Sequence, residues 1–183
     1  MLGYRQPRPY GRPPIGYGGR LANIDYKWKA LWPFLVSIII GALIILCGLL
    51  VFVLEIADLG LLGKIGLTPS LYAAAVGIWC GIFIIIAGVC IVLISCMKNV
   101  RRWAFIAFCL TIAATVFAII DFAVNAARVD DLRSAGWFDS IYTDYKSIAG
   151  LIAAQLAFGI VAFLLCLAFI GVYIYMYFKI KKR

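Results

Sequence analysis

Apolar positions in this chain come as four nearly unbroken runs separated by short polar stretches, with no polar/apolar alternation inside any run. The runs cover about Leu31 to Leu54, Leu71 to Cys96, Trp103 to about Ala126, and Ile148 to Phe178. A helix rises about 1.5 Å per residue, so about 20 residues cross a hydrocarbon layer about 30 Å thick, and every run is long enough. The period of two expected of barrel strands is missing. In lipid a helix satisfies each backbone group within its own segment. The pattern therefore predicts an all-α chain, an integral membrane four-helix bundle. The fourth run, roughly 46 Å long as a helix, exceeds the bilayer and predicts tilt or projection.

The polar stretches divide the chain into a tail at 1–30, a four-span domain at 31–178 and a basic end at 179–183. Pro, Gly, Arg and Tyr dominate the tail and leave almost nothing to bury, so it is expected to be disordered. It holds no strict PxxP spacing, and Pro13 to Tyr17 is one residue too long for PPxY. Trp28 and Trp32 stand where amphipathic rings favour the headgroup level. The connector from Glu55 to Ser70 contains Gly60, Gly63, Gly66 and Pro69, which predict a loss of helical continuity. Met97 to Arg102 is a short basic turn that makes the second and third spans an antiparallel hairpin. The connector from Ala127 to Ser147 gathers Asp130, Asp131, Asp139 and Asp144 with Trp137, Phe138, Tyr142 and Tyr145, a mixture expected to be partly helical and interfacial.

Composition sharpens this picture. Of 183 residues, 66% are hydrophobic and 14% charged, against about half and about a quarter in soluble domains. A net charge of +9 raises the question of nucleic acid. Placement answers it: the cations cluster beside apolar runs, so the expected polyanion is the anionic cytoplasmic leaflet, with no nucleic-acid partner. Thirteen of the seventeen Lys and Arg residues fall in the tail, the central turn and the basic end. The positive-inside rule then puts both termini and the central turn in the cytoplasm. The expected location is the plasma membrane or endomembrane vesicles, with the first span as its own insertion signal, because no cleavable signal pattern is apparent.

Candidate chemistry is sparse. Gly77 and Gly81 form a GxxxG element with Gly88 near the same face, and Gly41 and Gly48 repeat a similar spacing in the first span. Small residues let helix backbones approach closely, and an intramolecular contact is favoured over one to a partner. Glu55, Asp121 and Asn125 are a candidate polar site, since ionisable groups at membrane depth are costly and often functional. The competing reading is a helix end hydrated at the interface, or Asp121 hydrogen-bonded to a neighbouring helix. Cys47, Cys80, Cys90, Cys109 and Cys166 lie in apolar runs as small hydrophobes, and Cys96 borders the basic turn as a candidate for acylation. Lys179, Lys181 and Lys182 have KxKxx retrieval spacing, which positive-inside anchoring also explains. The chain has no histidine, no phosphate loop and no nucleophile elbow. No catalytic residue, cofactor or metal is expected. The expected role is lateral association with other membrane proteins, or with further copies of the chain, as scaffold, trafficking factor or accessory subunit. The alternative is an oligomeric ion channel.

The stretch Gly77-Ile78-Trp79-Cys80-Gly81-Ile82-Phe83-Ile84-Ile85-Ile86-Ala87-Gly88, followed by a short basic turn and a third span ending in Asp121, resembles the membrane-spanning four-domain subfamily A, the tetraspan group of the B-lymphocyte antigen. The likeness covers about a quarter of the chain. It implies a cytoplasmic-ended tetraspan; the cysteine pair that several members carry in the second outer loop is missing here. MARVEL-type tetraspans share the topology and are the rival.

Overall fold

The computed structural model describes residues 26–64, 71–134, 136 and 143–182. The expected disorder of the tail lies outside the described residues, apart from a short helix at 26–31. Four long helices follow: α1 (Phe34–Lys64), α2 (Leu71–Leu93), α3 (Val100–Ser134) and α4 (Thr143–Lys181). No strand occurs among the described residues. All four helices are long and apolar enough to cross a membrane.

Neighbouring helices run antiparallel. Gly41 meets Gly88 and Gly48 meets Gly81 across α1 and α2. Phe83 stacks on Phe117 between α2 and α3, ring centroids 4.1 Å apart, and Phe108 stacks on Tyr173 between α3 and α4 at 4.3 Å. Contact between α1 and α4 closes the ring. In each pair early residues of one helix oppose late residues of the other, which defines an up-down-up-down bundle. Its core is aliphatic, with Ile44, Ile84, Ile91, Ala104, Ala107, Ala114, Ala118 and Phe169 fully buried. Large apolar side chains cover the outside on every helix, among them Leu35, Val53, Trp79, Phe105, Leu164 and Phe178. Exposed apolar area on all sides is a perimeter made for hydrocarbon.

Several helix boundaries differ from those expected. The first helix starts at Phe34, because Pro33 disfavours helical geometry in the residue before it and separates the 26–31 turn from α1. The expected break does not begin at Glu55: α1 continues through Gly60 to Lys64, and Gly66 and Pro69 lie outside the described residues. A glycine inside a helix costs about 1 kcal/mol relative to alanine, less than tertiary contacts along the same turn return. Likewise α3 passes Ala126 and reaches Ser134. At the other end α2 closes at Leu93 in a tightened turn, with Ile94, Ser95 and Cys96 N–H groups bonded three residues back at 3.3, 3.1 and 3.0 Å. Trp28 and Trp32 are each 4% exposed, covered by other side chains of the bundle. Their rings stack on each other at 5.6 Å and lie against Tyr173 at 5.9 and 6.4 Å.

Candidate functional site

Near the end of the bundle away from the basic turn, three helices turn polar groups inward at one level. Helix α1 supplies Glu55 and Asp58, three residues apart and therefore on one face. Helix α3 supplies Asp121, Asn125 and Arg128, each a turn beyond the last. Helix α4 supplies Gln155. Exposure is 1% for Glu55, Asp58 and Gln155, 0% for Asp121 and 2% for Asn125. Only the Arg128 side chain, at 19%, reaches the surface.

The groups form a connected array. Gln155 Nε2 donates to Glu55 Oε2 at 2.8 Å. Arg128 donates to Asp58 Oδ2 at 2.5 Å, and its other terminal nitrogen stands 3.8 Å from Glu55 Oε2. Asn125 Nδ2 donates to Asp121 Oδ1 at 3.2 Å. Glu55 and Arg128 both lie within electrostatic reach of Asp121. Two glycines make the room. A β-carbon at Gly77 would fall on Gln155 Nε2 and lie 2.7 Å from Glu55 Oε2, and one at Gly159 would lie 2.7 Å from Asp121 Oδ2.

Acceptors outnumber donors here. Glu55 Oε1, Asp58 Oδ1, Asp121 Oδ2, Asn125 Oδ1 and Gln155 Oε1 are all buried without a hydrogen-bond partner among the described residues. Three carboxyl groups face one guanidinium, a surplus of acid that burial penalises steeply unless protons, water or cations offset it. No three Cys, Asp or Glu side chains among the described residues converge closely enough to hold a metal ion.

Among the described residues, apolar clusters flank the array on both sides along the bundle axis. Toward the near end of the bundle, Leu62, Ile148 and Ile152 form a small cluster with Leu61, Val129 and Leu132. Toward the basic end the main core takes over; Thr111 and Thr115 there each donate 2.7 Å bonds to carbonyls one turn back in their own helix, while Ser37 Oγ and Trp32 Nε1 are buried without a hydrogen-bond partner among the described residues. Among the described residues, polar side chains therefore form no continuous line through the depth of the bundle.

Glu55, Asp121 and Asn125 thus stand together, but not as a hydrated helix end. They are interior residues of helices that continue well past them, shut away by neighbouring helices. Gly41, Gly48, Gly81 and Gly88 share one seam between α1 and α2, whereas Gly77 serves the polar array. Cys96 is exposed at the basic turn. Sequence reading missed Asp58, Arg128 and Gln155, although signals existed. Asp58 follows Glu55 at helical spacing, Arg128 follows Asn125 likewise, and Gln155 is the lone amide in the fourth apolar run.

Fold and perimeter define an integral, multi-pass membrane protein built as a four-helix bundle. Compared with family models, curated proteins and solved structures, the chain finds no match.

Proposed function

We propose that this is a non-enzymatic tetraspan that acts by lateral association with other membrane proteins, with both termini cytoplasmic. One observation carries the reading: the only large polar array in the described bundle is buried and flanked by apolar clusters on both sides. A buried array of this kind offers neither a continuous aqueous path nor an open cleft for a substrate. The α1–α2 glycine seam is used up inside the chain. What another protein can meet in the membrane is therefore the apolar perimeter, on which Trp79 of α2 presents 59% of its surface. Kinship with the membrane-spanning four-domain subfamily A belongs to the same proposal and rests on the Gly77–Gly88 stretch and the acid at 121.

An oligomer that conducts ions is the competitor, and one experiment separates the two. Full-length protein is reconstituted into planar bilayers and, in parallel, recovered from gently solubilised membranes. The association reading expects no current, together with co-purification of other integral membrane proteins that is weakened by Trp79→Ala. A current carried by the wild type and abolished by Asp121→Asn would overturn it.

A further inference from the structure

At the opposite end of the bundle from the buried array, a surface pocket of about 540 Å³ opens between the 26–31 helix, the start of α3 and the end of α4. Trp28, Phe105, Tyr173 and Tyr177 wall it with aromatic rings, and Asn99, Arg101 and Arg102 supply its polar groups. Neither guanidinium is paired with an acid or hydrogen-bonded among the described residues. Arginine presents five donors in a planar fork that suits phosphate oxygens.

Local backbone geometry adds to the attraction. Helix α3 begins at Val100, and its first in-register backbone bond here runs from Trp103 N to Asn99 O at 3.2 Å. The N–H groups of Val100, Arg101 and Arg102 therefore have no carbonyl within their own helix. They end a 35-residue helix whose positive dipole end points the same way. Lys179, Lys181 and Lys182 belong to the same end and raise its potential further. The chain's own tail is a poor occupant, because residues 1–25 carry Arg5, Arg8, Arg12 and Arg20 against the single acid Asp25.

We propose that this pocket binds the phosphorylated headgroup of an anionic membrane lipid, specifically an inositol phospholipid. Depth selects a lipid over a soluble phosphate: Phe105 of α3 and Tyr177 of α4 line the pocket and are themselves exposed on the apolar perimeter, where acyl chains can run. Size selects a bulky headgroup. The pocket is far larger than one phosphate, and its two arginines and one amide present several donors at separate points. Two of the aromatic walls, Trp28 and Tyr173, are buried at 4% and 9% exposure and lie against each other with ring centroids 5.9 Å apart. The inference is independent of the association reading, since it concerns a different end of the bundle and needs no protein partner.

The test uses full-length protein in detergent, followed by native mass spectrometry after exposure to mixed micelles. The lipid arms are phosphatidylcholine alone, phosphatidylcholine with phosphatidylserine, and phosphatidylcholine with phosphatidylinositol bisphosphate, the last two matched in total charge. The soluble arm is free inositol trisphosphate. Wild type is expected to retain one bisphosphate lipid through delipidation, and R101Q/R102Q to bind it about tenfold or more weakly, the scale of losing charge-assisted hydrogen bonds. Lys98→Gln removes a nearby charge that does not line the pocket and is expected to bind within about twofold of wild type. Equal retention of phosphatidylserine, equal loss in Lys98→Gln, or equally tight binding of the free trisphosphate would each overturn the assignment.

Discussion

Single glycines decide how close two helices come. At Gly81 an added β-carbon would sit 3.0 Å from Gly48 O, and at Gly88 one would sit 2.9 Å from Gly41 O. Backbone carbonyls cannot swing aside, so a larger residue must push α1 and α2 apart along their seam. Gly81→Leu is expected to cost about 2–3 kcal/mol of stability, the scale of overpacking a close contact. Gly171→Ala makes the control, since nothing lies within 4 Å of the new carbon. There the helix gains about 0.5–1 kcal/mol from the loss of a glycine. Equilibrium unfolding in mixed micelles reads both, and equal stabilities for the two variants would refute the seam. The seam was legible from spacing alone at Gly41, Gly48, Gly81 and Gly88. Gly77 was not, because spacing places a glycine on a face without telling whether backbone or a polar side chain fills the gap.

At the scale of the element, the question is why α1 and α3 run on past their apolar runs. Both helices project about 13 Å beyond Glu55 and Asn125, nine residues each at 1.5 Å. Tertiary contact holds these projections. Arg128 on α3 grips Asp58 and reaches toward Glu55 on α1, and Leu62, Val129 and Leu132 pack with Ile148 and Ile152 of α4. Removing the one cation leaves buried carboxylates unopposed. Arg128→Met is expected to lose about 3 kcal/mol, near the lower end for breaking a buried ion pair because the guanidinium is partly exposed. Asp58→Leu placed on that background is expected to return part of the loss, with a coupling of about 1 kcal/mol or more in a double-mutant cycle. Additive effects of the two changes would mean that the ion pair does not join α1 to α3. Gly60 and Gly63 argued for a break, and contacts across helices, invisible to local propensity, carry α1 on to Lys64.

For the whole molecule, the cysteines supply a topological readout. Cys96 is exposed at the basic turn, and Cys109 is exposed on α3 nine residues past the start of that helix. A membrane-impermeant maleimide added to intact cells is expected to label neither. After permeabilisation it is expected to modify Cys96 while Cys109 stays protected by lipid. Labelling of Cys96 from outside intact cells would reverse the orientation that the positive-inside rule predicts.

Length and continuity of the apolar runs were enough to establish four membrane helices, because burying each run's backbone in lipid leaves the helix as its only economical form. The same reasoning identified Glu55, Asp121 and Asn125 as residues whose cost calls for an explanation. Tertiary structure alone decided that these three share one enclosure with Asp58, Arg128 and Gln155, on helices separated by up to a hundred residues. It also decided that Trp28 and Tyr173 meet beside Arg101 and Arg102. The physical reason is common to both. Sequence fixes the polarity and spacing of side chains along each helix, whereas the rotation and depth of one helix against the next come from packing, which no single segment contains.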